Sequence, residues 1–213
     1  MKVLAIGSAK GGVGKSTSTV YLAARAAEHL TSTDEQPRVA ILDRDESKHL
    51  TKLYEMREDL HWPGVVLLDG DTLPRPDAGF DLIIIDTPPG LSALPSLREA
   101  NLVLVPCQPT DMGVNSLVEY LDSIEEQRLI VSPGMRLIAL LPTMVNNTNL
   151  HRTRLEDIRR IAAHQRPPLL VLPPIPYRVA VALPDLGAHE YDAAAKELFG
   201  HGEIFETATS IAR

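Results

Sequence analysis

Short unbroken apolar runs alternate along this chain with stretches in which apolar residues recur every three or four positions. Val3–Gly7, Val39–Asp43, Val65–Leu68, Leu82–Asp86, Leu102–Pro106, Leu137–Leu141 and Leu169–Leu172 read as strands. Continuous rather than alternating hydrophobicity marks strands covered on both faces. Ser16–Leu30 predicts a helix with Val20, Ala23, Ala24 and Ala27 on one side. Ser116–Arg128 and Thr153–His164 carry similar spacing, and Ala193–Phe199 a shorter version. Strand–helix alternation implies right-handed crossovers, hence an α/β fold: a mostly parallel twisted sheet of about seven strands with helices on both faces.

Composition narrows this picture without changing it. A chain of 213 residues suits one α/β domain better than two. The proline- and glycine-rich stretches Asp71–Gly79 and Arg166–Pro176 read as connectors, so residues 1–213 are expected to form a single domain. Aromatic residues make up only 4%, so the core must rest on Leu, Ile, Val and Ala. A lone cysteine, Cys107, leaves no intramolecular disulfide and no four-cysteine metal site. The opening Met1–Gly7 is too short for a signal peptide, and no run approaches the roughly 20 apolar residues of a spanning helix. A soluble, cytoplasmic protein with no membrane partner is expected. The net charge of −7 argues against a nucleic-acid coat protein, so any DNA contact must be local or depend on assembly of several copies.

In parallel sheets ligands gather at the carboxyl ends of the strands. The chemistry-bearing residues fall there: the loop after Gly7, Asp43 to Asp45, Asp86 to Gly90, and Pro142 to Asn147. Gly11-Gly12-Val13-Gly14-Lys15-Ser16 follows a strand and opens a helix, the context that makes a glycine-rich loop a phosphate site and the fold a P-loop NTPase. The glycines let backbone N–H groups turn inward, and the helix N-terminus adds partial positive charge. Lys15 is placed to bridge β- and γ-phosphates, Ser16 to ligate Mg²⁺, and Thr17 to meet the α-phosphate. Ala9 stands where the general pattern has its first glycine.

Lys10 followed by Gly-Gly-x-Gly-Lys-Ser resembles the deviant Walker A motif of the ParA/MinD family. The resemblance implies that Lys10 reaches the nucleotide of a partner subunit, sandwiching ATP in a homodimer. Asp43-Arg44-Asp45 is similar to the family's switch I segment, which implies that Asp45 orients the attacking water while Asp43 supports the magnesium network through water. Glu46-Ser47 replaces the Pro-Gln of many relatives. Leu82–Asp86 with Thr87-Pro88-Pro89-Gly90 resembles Walker B and switch II, which implies a water-mediated Mg²⁺ contact for Asp86. Pro142-Thr143-Met144 resembles the segment bordering the adenine, and Ala100–Thr110 the strand that ends in Pro-x-x-Pro. The family resemblance implies ATP and Mg²⁺ as cofactors, slow Mg-dependent hydrolysis of ATP to ADP and phosphate, and use in plasmid or chromosome partition with a ParB-like activator. Nucleoid association would follow from DNA binding.

The cargo is less legible. The tail Gly202–Arg213 has a single basic residue, too little for a membrane-seeking helix. Arg152, Arg159, Arg160 and Arg166 fall at spacings that share one helical face if the helix persists that far, and with Arg178 they are candidates for nonspecific DNA contact. The same pattern fits a solvated face laced with Glu-to-Arg pairs. Two other readings stay open: a positioning ATPase for a protein cargo, and a metabolic P-loop enzyme of the dethiobiotin-synthase type.

Overall fold

The computed structural model describes residues 1–29, 39–56, 64–130, 136–178 and 189–200. Its centre is one sheet built from β1 (Lys2–Ile6), β2 (Val39–Asp43), β3 (Val65–Leu67), β4 (Leu82–Asp86), β5 (Leu102–Cys107), β6 (Arg136–Pro142) and β7 (Leu170–Val171). The strands lie in the order β3-β2-β4-β1-β5-β6-β7, and every pairing is parallel. The expected seven-stranded parallel sheet is therefore present, in a single domain of the P-loop NTPase kind. Helices are α1 (Lys15–His29), α2 (His49–Met56), α3 (Leu94–Glu99), α4 (Asp111–Ile130), α5 (Asn149–His164) and α6 (Asp192–Gly200).

Successive side chains along each strand point to opposite faces, which gives the sheet two cores. Leu4, Ile6, Leu82 and Ile84 join Leu22, Tyr191, Leu198 and Phe199 beneath α1 and α6. Val3, Ala5, Ile83 and Ile85 join Leu97, Leu117, Leu121 and Ile158 beneath α3, α4 and α5. The two faces explain the unbroken apolar runs of the central strands, which have no solvent side, whereas the edge strands β3 and β7 expose Val66 and Leu170. On the first face α6 is tied to α1 by the stacked rings of Tyr21 and Tyr191, 4.8 Å apart. The Tyr191 hydroxyl lies 3.0 Å from Ser18 Oγ, and Arg25 meets Asp192 at 2.7 Å.

Register brings the strand ends level. Asp43 pairs across to Asp86, Ile6 to Asp86, and Cys107 to Pro142. The chain reverses its direction of growth across the sheet at β1, which lies between β4 and β5, so a crevice opens there.

Differences from the sequence reading concern short or capped helices. α2 and α3 span 8 and 6 residues, too few for periodicity to stand out. α3 grows from a 3-10 turn at Gly90–Ala93, with Pro95 in its first turn, where a missing N–H costs nothing. α5 does not carry Arg166 on its face: it ends at His164, and Gln165 is extended. The prolines at 167 and 168 are the reason, since the residue before a proline is pushed out of helical geometry. Leu30 and the tail 202–213 lie outside the described residues.

Gly7, just past β1, is required by close approach. A Cβ there would stand 2.5 Å from the Tyr120 hydroxyl and 3.2 Å from Leu97 Cδ2. That hydroxyl is buried without a hydrogen-bond partner among the described residues. Gly7→Ala is expected to cost about 1–3 kcal/mol by overpacking. Tyr120→Phe alone should be neutral or stabilising, since no hydrogen bond is lost, and should rescue much of the Gly7→Ala loss. Chemical denaturation of the single and double variants checks this; equal losses with and without the hydroxyl would contradict it.

Candidate nucleotide-binding site

The loop between β1 and α1 is shaped from outside. Gly12 and Gly14 take φ of 74° and 88°, a region side chains rarely adopt. Cβ atoms added at Gly11, Gly12 or Gly14 would meet nothing within 4 Å, so these glycines answer to backbone conformation and an open concavity rather than crowding. Neighbouring elements hold the loop by its carbonyls. Thr143 Oγ1 donates to Val13 O at 2.8 Å, Gln108 Nε2 to Gly12 O at 3.3 Å, Gly90 N to Ser8 O at 2.8 Å, and Ser8 Oγ to Lys10 O at 2.8 Å. With those acceptors engaged and the first N–H groups of α1 free of helical partners, the loop presents donors, as an anion site must.

Four charged groups, Lys15, Asp86, Asp43 and Asp45, converge below it. Lys15 is only 6% exposed. Burial lowers its pKa, opposed by attraction from Asp86 and then Asp45. Asp86 is fully buried at the end of β4, and neither carboxylate oxygen meets a hydrogen-bond partner among the described residues. Burial pushes it up to about 7; the facing Ser16 hydroxyl pulls it down, Asp43 raises it, Lys15 lowers it and Asp45 raises it. A buried, unpartnered carboxylate facing a hydroxyl at the mouth of a donor-lined loop fits a divalent cation whose shell is completed by phosphate and water. Among the described residues no cluster of three or more His, Cys, Asp or Glu could hold a metal alone, so the cation would arrive with its anion.

Asp43 is buried too, but occupied. Its Oδ1 accepts from Asp45 N at 3.1 Å, and its Oδ2 from Thr51 N and Thr51 Oγ1 at 2.9 and 2.8 Å. Asp45 is half-buried, and its Oδ1 accepts from Ser47 N at 3.0 Å and Ser47 Oγ at 2.7 Å. Its pKa is lowered although burial, the largest single influence, raises it: the Ser47 hydroxyl and amide, Lys15 and His49 together outweigh the burial.

Residues 4–187 match the family model described as the CobQ/CobB/MinD/ParA nucleotide binding domain. This chain belongs to that family. It is 28% identical over 188 residues to the chromosome-partitioning ATPase Soj of Thermus thermophilus, an alignment covering 72% of this chain and 73% of Soj. A cobyrinic acid a,c-diamide synthase from Mycobacterium smegmatis, solved with ADP and magnesium, is 26% identical and superposes with a TM-score of 0.71 over 95% of this chain and 96% of that one. The fold is also that of a McdA variant from Cyanothece solved as its ATP complex, with a TM-score of 0.73 at 18% identity, covering 96% of each chain.

On the side where the family resemblance implies the adenine edge, Pro142 ends β6 and the buried Thr143 hydroxyl is spent on the loop. Met144 sits at φ 54°, and its sulfur accepts from Gln108 Nε2 at 2.8 Å. Gln108 thus links the loop to the 142–144 turn, a role that the sequence signalled only by placing it within Pro-Cys-Gln-Pro. Lys10 is exposed beside a cavity of about 230 Å³ lined by Gly11, Gln108, Thr110, Met112 and Ser116. Ser16 and Thr17 lie half-buried in the first turn of α1.

The arginines of α5 do not form a free basic face. Arg152 bonds Asn147 at 2.6 Å, Arg159 pairs with Glu156 and Arg160 with Asp157, and Arg154 bridges Asp111 and Asp157. Arg178 meets Glu190 at 3.1 Å, away from α5. Arg166 follows the helix end.

Asp86 contributes a pH dependence to the stability of the nucleotide-free fold. Its folded value of about 7 lies above the ordinary 3.8, so the folded state binds the proton more tightly between them. Asp86 therefore lowers stability as pH rises through that window, and the loss is complete above it. Asp86→Asn is expected to be a few kcal/mol more stable than the parent at about pH 8, with little difference at about pH 4, and to lose Mg²⁺-dependent nucleotide binding. Denaturant titrations at both pH values and calorimetry with ADP–Mg²⁺ check it; parallel stability curves for parent and variant would contradict it.

Proposed function

We propose that this chain is an ATP-dependent dimerising switch of the ParA type. The observation that carries the reading is the buried, unpartnered Asp86 carboxylate beside Lys15 beneath a donor-lined loop, with Lys10 exposed at the loop's start. ATP binds with Mg²⁺: Lys15 and the loop N–H groups from Gly11 to Thr17 hold phosphates, Ser16 ligates the ion, and Asp86, with Asp43, holds its water shell. The γ-phosphate orders the segments after Asp43 and Asp86. Two copies then pair across the nucleotide, each Lys10 neutralising the other's phosphates. Asp45 orients the attacking water, which needs position more than basicity. Unstimulated turnover is expected on the order of 10⁻⁴ to 10⁻² per second, as in unassisted P-loop switches.

Similarity to Soj, a chromosome-partitioning ATPase, favours DNA as the cargo, with a ParB-like protein stimulating hydrolysis and the protein residing on the cytoplasmic nucleoid. Because Arg159 and Arg160 are paired with acids on their own helix and the net charge is −7, DNA retention rests on the dimer summing weak contacts from Arg152, Arg159, Arg160, Arg166 and Arg178. Among the described residues no helix is long and apolar enough to cross a membrane, which is consistent with this location. A protein cargo fits the same switch. Similarity to a chain described as a diamide synthase favours a second reading, an ATP-using synthase that keeps one oligomeric state.

Sizing by light scattering without nucleotide, with ADP and with ATP–Mg²⁺ separates these readings. A dimer with ATP alone, persisting in Asp45→Ala and absent in Lys10→Ala, is the expected result; a size unmoved by nucleotide would favour the synthase. On DNA, a dimer neutralising four phosphates should lose log affinity against log salt with a slope of about −3.6. Reversing Arg159 and Arg160 to Glu should flatten that slope. A salt-independent affinity or an indifferent dimer would move the cargo to protein.

A further inference from the structure

The segment after Asp45 departs from the Pro-Gln of many relatives, and the structure gives Glu46 and Ser47 unequal roles. Glu46 is exposed. Ser47 folds back on Asp45: its amide and hydroxyl both donate to Asp45 Oδ1, at 3.0 and 2.7 Å. Asp45 Oδ2 has no partner among the described residues, and the carboxylate as a whole is attracted to Lys15. Both Ser47 bonds fall on one oxygen, Oδ1.

The turn that makes this possible is itself anchored. Lys48 N donates to Asp45 O at 2.9 Å, and Lys48 takes φ 48°, a left-handed conformation that closes the turn. The Lys48 ammonium reaches both Asp43 O and the Asp71 carboxylate. The Lys52 ammonium, one turn into α2, donates to Ser47 O at 2.8 Å. Asp43 completes the frame by accepting from Asp45 N and from Thr51 at the start of α2. Ser47 is therefore fixed at its carbonyl while its amide and hydroxyl point at the carboxylate. A proline–glutamine pair would keep a side chain able to donate, but not this short hydroxyl bond.

We propose that Ser47 is a positioning residue for ATP hydrolysis, its hydroxyl clamping Oδ1 of Asp45 so that Oδ2 is presented to the attacking water. It does not touch the nucleotide; it acts through Asp45, and so rests on the water-orienting role proposed above for that residue. Without the hydroxyl only the Ser47 amide holds Oδ1, so the carboxylate rotates more freely about its terminal torsion, a broad and weakly restrained coordinate, and the fraction of time spent in the productive orientation falls. ATP affinity and dimerisation, which draw on the glycine loop and Lys10, are untouched.

Single-turnover hydrolysis of radiolabelled ATP by the full chain tests it, with Kd for a non-hydrolysable ATP analogue measured in parallel. Ser47→Ala is expected to lower the hydrolysis rate about tenfold, the scale of one lost charge-assisted hydrogen bond, with the analogue Kd unchanged. Ser47→Thr, which keeps the hydroxyl, should recover most of the rate. In an Asp45→Asn background the Ser47→Ala change should have no further effect. If Asp45→Asn abolishes hydrolysis but Ser47→Ala is silent, or if Ser47→Thr is as slow as Ser47→Ala, the clamp is overturned while the role of Asp45 stands. A faster Ser47→Ala would also overturn it, showing that Ser47 restrains Asp45 away from the water. If Asp45→Asn hydrolyses ATP at the parental rate, the reading of Asp45 falls and the clamp falls with it.

Discussion

A carboxylate with no partner at the centre of a folded sheet is a cost that the rest of the architecture must carry. Asp86 is such a group: fully buried at the end of β4, level with Asp43 on one side and Ile6 on the other, with both oxygens unpartnered among the described residues. Lys15 offsets the charge without bonding it, and is itself held below its ordinary pKa by burial. A cation brought in with an anion would relieve both groups at once. The two-sided apolar sheet supplies the stability against which this local penalty is set.

The two acids at the strand ends show how environment divides one residue type between two tasks. Asp43 is satisfied by three donors and organises the turn into α2. Asp86, its neighbour across the ladder, has none. The arrangement holds Asp43 by its three donors and leaves Asp86 buried without one. Arg44, between Asp43 and Asp45, turns the other way: it meets Glu99 on α3 at 2.8 Å and the Asp71 carbonyl at 2.8 Å. The segment after β2 is thereby joined to the helix that follows the Thr-Pro-Pro-Gly turn. The Arg44 amide also donates to Asp86 O at 2.8 Å, so backbone and side chain both join the two segments.

Much of this was legible in the chain. Apolar runs located all seven strands; in the central ones burial on both faces leaves no polar residue to interrupt the run. Gly12, Gly14, Lys15 and Ser16 announced the loop, because a backbone that must curl around an anion and end in a helix admits few other residues. α2 and α3 escaped notice because helices of one or two turns carry too little periodicity. The arginines of α5 were visible as a cluster, whereas their pairing with Glu156, Asp157 and Asp111 depends on which side chains the helix and its neighbour α4 bring together.

Local chemistry was thus written in order along the chain: strand, glycine turn, helix, and an acid at each of two strand ends. What the sequence by itself determined is the kind of fold and the class of ligand, since both follow from residues near one another and from a hydrophobic pattern that tolerates only one layering. Tertiary structure alone decided which acid is free and which is spent, and that Thr143 and Gln108 grip the loop from 130 and 96 residues away. Those outcomes depend on strand order and register, which place distant residues within hydrogen-bond reach, and no spacing along the chain encodes a distance across the sheet.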